Sequence, residues 1–377
     1  MSVHPVIDNH CHPFVPARET KPYERYWTLS HLDFSAEDLK DSLIYRMVIR
    51  ELARFLEMPS DAPPDAVAEE RTRLYRGDTP AYLRRLFADA KIEGLILDLG
   101  YPVPEYTGYS ADMSDFRALL PGVEMDTMIR IEPLLNRLLA RDMGFDETKT
   151  AYLETLVEEV ENNGAVAIKS AIAYQTGLDV DLVDEVGARR GFDAMMRDGD
   201  RTGEKAFRDY ALLLALEICR ERGLPIQIHT GVGDSPVVNL SQFNPILLFD
   251  LLSGEAYRDI QFVLVHAGYP FTGEAGFLAH TYPNVWIDVS EMVPFAGVGI
   301  RDQMMRILEM TPVTRVMYGS DGYNIPEMFW FSAIYFKRVF GEILDALVRD
   351  GTVGQNFARE MASMVLTDNA RRLYLSR

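Results

Sequence analysis

Residues 225–266 read PIQIHTGVGDSPVVNLSQFNPILLFDLLSGEAYRDIQFVLVH. Two short runs rich in Ile, Val and Leu each close on a histidine, His229 and His266, and a long stretch joins them. That connection is too long for a hairpin and suits parallel strands linked by a crossover. The unit recurs in both directions along the chain. Apolar runs bounded by Gly, Pro or Asn also lie at 5–9, 94–98, 126–131, 165–169, 284–288 and 315–319, which makes eight in all. Helical patterns such as 147–162, 205–222 and 297–310 fall between them. Eight strand–helix units predict an α/β fold, a (β/α)8 TIM barrel.

Such a barrel takes about 250 residues, and the chain has 377. The spacing of the runs shows where the surplus lies. Residues 14–93 form a helical insertion after the first strand, with helical patterns at 36–57 and 64–75, and 170–224 form a long connection after the fourth. Both emerge at the C-terminal rim, where the loops of a barrel build its active site. The whole of 1–377 is read as one barrel.

Composition narrows the function. Apolar residues make up 47% and charged residues 25%, the balance of a globular protein. A net charge of −19 argues against nucleic acid and anionic membrane as partners. Two cysteines cannot build a disulfide framework, and the first residues lack the basic start and apolar run of a signal peptide, so a cytoplasmic location is expected. The most apolar stretches, 211–219 and 328–340, are broken by Glu217, Ser332 and Lys337 and are too short to span a bilayer. The aromatic run at 328–336 has helical spacing and suits a core or subunit-packing helix, and a homo-oligomer is left open.

His10 and His12 lie two apart at the end of the first strand, so strand alternation puts both on one face. Lys169, His229 and His266 end the fourth, fifth and sixth strands, and Asp321 follows the eighth in YGSDG. All six positions fall at one end of the barrel. Imidazole nitrogen and carboxylate oxygen suit divalent ions. An ammonium does not, and Lys169 fits such a site only if carbon dioxide has carboxylated it, which makes its tip a bidentate anion. His4, His31 and His280 have no partner in this constellation, and Cys11 faces outward as an inert thiol.

This pattern resembles the amidohydrolase superfamily of metal-dependent hydrolases, with HxH on the first strand, Lys on the fourth, His on the fifth and sixth, and Asp on the eighth. The strings AIKSAIAY, QIHTGVGD, LVHAGYP and YGSDGYNIPEM are similar to the amidohydrolase domain of FluG-type proteins, in which it is fused to a glutamine-synthetase-like domain. The resemblance implies two divalent ions, one held by His10, His12, the Lys169 carbamate and Asp321, the other by the carbamate, His229 and His266. Zinc is the default, with manganese, iron or cobalt as alternatives. A bridging hydroxide would attack a small amide, and Asp321 would act as the catalytic acid and base. A γ-glutamyl amide is the favoured substrate.

Strand-end position also marks Asp98, Arg130 and Asp288, and the adjacent loops add Tyr174 and Asp234, as candidates for binding the substrate. The Arg130 guanidinium calls for an anion, either Glu132 or another protein carboxylate, or a carboxylate on the substrate. Two other functions compete. A mononuclear zinc decarboxylase of the same superfamily shares the histidines and the final Asp but lacks a fourth-strand bridging anion. A non-catalytic barrel used for binding or signalling would have no need of an intact ligand set.

Overall fold

The computed structural model describes residues 4–375. Its barrel strands are β1 (Val6–Cys11), β2 (Ile92–Asp98), β3 (Glu124–Arg130), β4 (Ala167–Ser170), β5 (Ile226–His229), β6 (Phe262–Val265), β7 (Val285–Asp288) and β8 (Val316–Met317). They form one parallel sheet in sequence order. Backbone hydrogen bonds from Asn9 to the Tyr318 carbonyl (3.1 Å) and from Asp321 to the His10 carbonyl (2.9 Å) bring its edges together. The fold is a (β/α)8 TIM barrel.

Alternation along the strands sorts side chains into two cores. Ile7, Ile96, Met128, Ala167, Val263 and Met317 fill the barrel interior, while Val6, Leu95, Leu97, Ile129 and Ile168 pack outward against the helices. Beyond the inner layer the same alternation brings Lys169 and His229 to the mouth. The register between β1 and β2 shifts between Asp8 and Cys11. Past that irregularity Cys11 joins the outer core, where burial raises its thiol well above its usual value.

The connection after β1 holds α1 (Ala36–Lys40), α2 (Leu43–Phe55), α3 (Pro64–Gly77) and α4 (Thr79–Ala90). The pattern at 36–57 is two helices rather than one, because Ser42 stops the first and caps the second by accepting from the Tyr45 amide. The helix α4 runs straight into β2 and packs on helix Pro326–Arg349, so it belongs to the ring around the barrel. A fully buried Arg71 on α3 fixes the insertion to the barrel. Its Nε and Nη2 donate to Glu327 at 2.6 and 2.7 Å, just downstream of Asp321. Such a paired, desolvated fork is costly to break.

The connection after β4 contains helices Glu185–Asp198 and Arg201–Arg222. Asp200 caps the longer one through the Gly203 amide at 2.8 Å, and Gly223 ends it in the left-handed conformation, with φ of 64°. The aromatic run lies in helix Pro326–Arg349 and is buried. No helix among the described residues is long and apolar enough to cross a membrane.

Candidate active site

Hydrogen bonds fix which nitrogen of each mouth histidine is bare. His10 Nδ1 donates to Gln227 Oε1 at 2.7 Å, and Gln227 is oriented because its Nε2 donates to the Asn9 carbonyl and Tyr374 Oη at 2.9 and 2.8 Å. His12 Nδ1 donates to the Asp98 carbonyl at 3.1 Å. A carbonyl oxygen only accepts, so these nitrogens carry the protons. The bare Nε2 atoms face Asp321 Oδ1, at 3.1 Å from His10 and 3.3 Å from His12.

The second pair follows the same logic. His266 Nδ1 donates to Ser290, whose carbonyl and Oγ lie 3.2 and 3.0 Å away and whose hydroxyl gives its own proton to Asp288. His229 Nε2 donates to the Val232 carbonyl at 2.9 Å. The two remaining nitrogens, His266 Nε2 and His229 Nδ1, confront each other at 3.1 Å, with Glu291 Oε2 at 3.5 Å from His266 Nε2. Burial keeps these rings neutral, lowering His10 to about 4 and His229 and His266 well below the usual histidine value.

Bare nitrogens and carboxylate oxygens facing one another repel unless a cation lies among them. Ligands on a tetrahedral ion with bonds of about 2.0–2.2 Å stand roughly 3.3–3.6 Å apart, close to the spacings here. Each ring's other nitrogen is tied to a fixed acceptor, the arrangement that orients metal-binding imidazoles. The residues therefore fit divalent metal in two groups, His10, His12 and Asp321, and His229, His266 and Glu291. Backbone strain collects at the same place. His266, Glu291 and Asp321 have φ of 68°, 54° and 53°, a left-handed conformation that costs a non-glycine residue of order 1–3 kcal/mol.

Lys169 lies at the same end, fully buried, and its Nζ has no hydrogen-bond partner among the described residues. Burial pushes its amine down to about 8. Arg130 has its anion within the protein. Its Nε donates to Asp98 at 2.8 Å and its Nη2 binds the same oxygen, while Glu132 instead accepts from Ser170 at 2.7 Å. Burial alone would raise the Asp98 carboxyl, but Arg130, with His12 and His10, outweighs it and holds it well below the ordinary range. Asp288 is equally buried and supports rather than faces the site, accepting from Asn9 at 2.6 Å and from Ser290.

A cavity of about 170 Å3 opens above the histidines. Arg130, Tyr174 and Asp234 line it, and Asp98 and Asp288 do not. Tyr174 stands 4.7 Å from His229 between ring centres, and its Oη accepts from the Asp234 amide at 3.1 Å. Gly233 leaves room for that hydroxyl, since a Cβ there would collide with it. His31 does reach the site, contrary to the sequence reading. Residues 29–31 run beside Ser235, with His31 N to Ser235 O at 2.8 Å and Ser235 N to Leu29 O at 2.9 Å, and His31 Nε2 meets Asp234 at 3.1 Å. The insertion also contributes Lys21 and Arg25 to the wall, and the loop after β8 contributes Tyr323 and Asn324. Sequence reasoning missed these, and it missed Glu291. The only trace of Glu291 was a lone acid in the apolar context VSEMVPF beyond a strand end.

Two groups of candidate metal ligands at the C-terminal mouth of a TIM barrel define the enzyme fold of the superfamily that the sequence resembles. The chain belongs to the amidohydrolase family Amidohydro_2, whose model matches residues 137–375. It is 26% identical to protein fluG of Emericella nidulans over 99% of its own length and 46% of that protein, so it spans less than half of that relative. A solved structure from Lactobacillus casei ATCC 334, assigned to the metal-dependent hydrolases, is similar with a TM-score of 0.84, 23% identity, and coverage of 99% of this chain and 96% of that one. Uronate isomerase from Thermotoga maritima shares the fold with a TM-score of 0.69 at 16% identity, over 100% and 95% of the two chains.

Proposed function

We propose that the protein is a metal-dependent amidohydrolase that cleaves the carbon–nitrogen bond of a small amide, with a carboxylate-bearing γ-glutamyl amide as the favoured class. One observation carries this reading: at the mouth of the barrel His10 and His12 turn Nε2 toward Asp321, and His266 turns Nε2 toward both Glu291 and His229 Nδ1. Divalent ions, zinc by default and manganese, iron or cobalt otherwise, would supply Lewis acidity and an acidified water there. His10, His12 and Asp321 would hold one ion, and His229 and His266 would contribute to a second.

Asp321 is the residue placed to move protons. Its carboxylate faces both β1 histidines and borders the cavity, where it can take a proton from the attacking water and pass it to the leaving nitrogen. Tyr174 and Tyr323 narrow the space around the scissile group. Lys169, with its amine lowered to about 8, has an accessible unprotonated form, the form that carbon dioxide carboxylates, and the carbamate would add an anion at this end.

The charge of Arg130 is already balanced by Asp98, so its burial no longer calls for a substrate anion. Support for a carboxylate comes instead from the wall. Arg25 there pairs with Asp33 at 3.5 Å, but the Lys21 ammonium, in a chain of net charge −19, has no ion-pair partner among the described residues. Product analysis on a panel of γ-glutamyl and neutral amides tests the proposal. Release of ammonia or amine together with the free acid supports it. Ion-dependent interconversion of uronates, or loss of carbon dioxide from a carboxylic acid, with every amide left intact, would refute it.

A further inference from the structure

The resemblance shares a Lys169 carbamate between two ions and gives them five other ligands. The structure adds a sixth. Glu291 follows Ser290, and the two residues treat the His266 ring from opposite sides. Ser290 accepts from Nδ1, and the left-handed turn at Glu291, with φ of 54°, brings its carboxylate to face Nε2 at 3.5 Å. Glu291 Oε2 is buried and makes no hydrogen bond among the described residues. A desolvated carboxylate oxygen without a donor is costly unless a proton or a cation neutralises it, and a proton would leave His229 Nδ1 and His266 Nε2 bare and facing each other at 3.1 Å. The cation cannot come from the neighbouring imidazoles, whose protons are committed to Ser290 and to the Val232 carbonyl.

We propose that Glu291 is a metal ligand, completing with His229 Nδ1 and His266 Nε2 a second site of two imidazoles and one carboxylate. The proposal builds on the metal-dependent reading above and assigns a residue outside the ligand pattern that the sequence resembles. The three donor atoms lie within 4.8 Å of one another, as do those of His10, His12 and Asp321. The rings of His10 and His266 are 5.5 Å apart between centres, so the two sites adjoin. Each has its own carboxylate, and the second is complete without a carboxylated lysine. Lys169 is not on the cavity wall.

Manganese binding to the chelator-stripped protein, followed by equilibrium dialysis and electron paramagnetic resonance, tests this apart from catalysis. The wild type should bind two ions per chain. Glu291→Gln, close in shape, should keep one ion with unchanged affinity and weaken the other at least about tenfold, the smallest loss expected even for a supporting partner of a ligand. Two ions bound to Glu291→Gln as tightly as to the wild type would overturn the assignment, whether or not the wild type hydrolyses amides. Anomalous diffraction from wild-type crystals grown with manganese decides the matter without a variant. A Glu291 oxygen about 2.2 Å from the second ion supports the proposal, and a carboxylated Lys169 in its place, with Glu291 out of reach, overturns it.

Discussion

His229 Nδ1 and His266 Nε2 point at each other across 3.1 Å, and each ring has spent its only proton elsewhere, on the Val232 carbonyl and on Ser290. Two neutral imidazoles cannot hydrogen bond in that arrangement. The contact makes chemical sense as half of a cation's coordination shell, and the same holds where His10 and His12 meet Asp321.

Gln227 sets the proton on His10 from inside the barrel. Gln227→Met leaves His10 Nδ1 without its acceptor and frees the ring to turn. Affinity for the ion held by the β1 histidines should fall by about 10- to 100-fold, as measured by competition with a chromogenic chelator. An unchanged affinity would show that Gln227 does not orient the ring.

Asp321→Asn keeps an oxygen toward the histidines but cannot take up the proton of the attacking water. In variant protein with its full metal content, kcat should fall by at least about 10²-fold while KM changes little. Near-normal kcat would remove Asp321 from the proton path.

Lys21 faces the cavity from the insertion. Lys21→Met should lower kcat/KM for a carboxylate-bearing amide by about tenfold, mainly through KM, and leave a neutral amide of equal size unaffected. An equal loss on both substrates would mean that the lysine does not read charge.

The buried Asp98–Arg130 pair gives a pH signature. The folded Asp98 carboxyl ionises well below its ordinary value of 3.8, so its contribution to stability is complete above that pH and is lost as the pH falls toward the folded value. Asp98→Asn leaves Arg130 buried and unpaired, at a cost of about 3–5 kcal/mol. In urea unfolding the gap between wild type and variant should be equal at pH 7 and pH 5 and narrow only below about pH 4. Narrowing between 7 and 5 would contradict the pairing.

Much of this was legible because barrel strands are buried on both faces and read as apolar runs ended by turn residues. The ends of those runs also expose His10, His12, His229 and His266. The helix α4 was absorbed into the insertion, since nothing in its pattern separates a ring helix from an inserted one. Glu291 escaped because it lies beyond β7 in a left-handed turn, where strand alternation no longer tells direction. His31 escaped because its place depends on the pairing of residues 29–31 with Ser235, a contact between distant loops. The partner of Arg130 is a matter of register. Asp98 lies opposite Met128, two residues before Arg130, so both side chains rise on one face of neighbouring strands.

The most direct test of the whole account couples amide hydrolysis to bound metal. Purified protein stripped with a chelator is titrated with zinc or manganese while bound ion and amine release from a γ-glutamyl amide are followed together. The account predicts no turnover in the stripped protein and activity that returns in step with the ion bound at the histidine sites. Full turnover by protein that retains no divalent ion would contradict it.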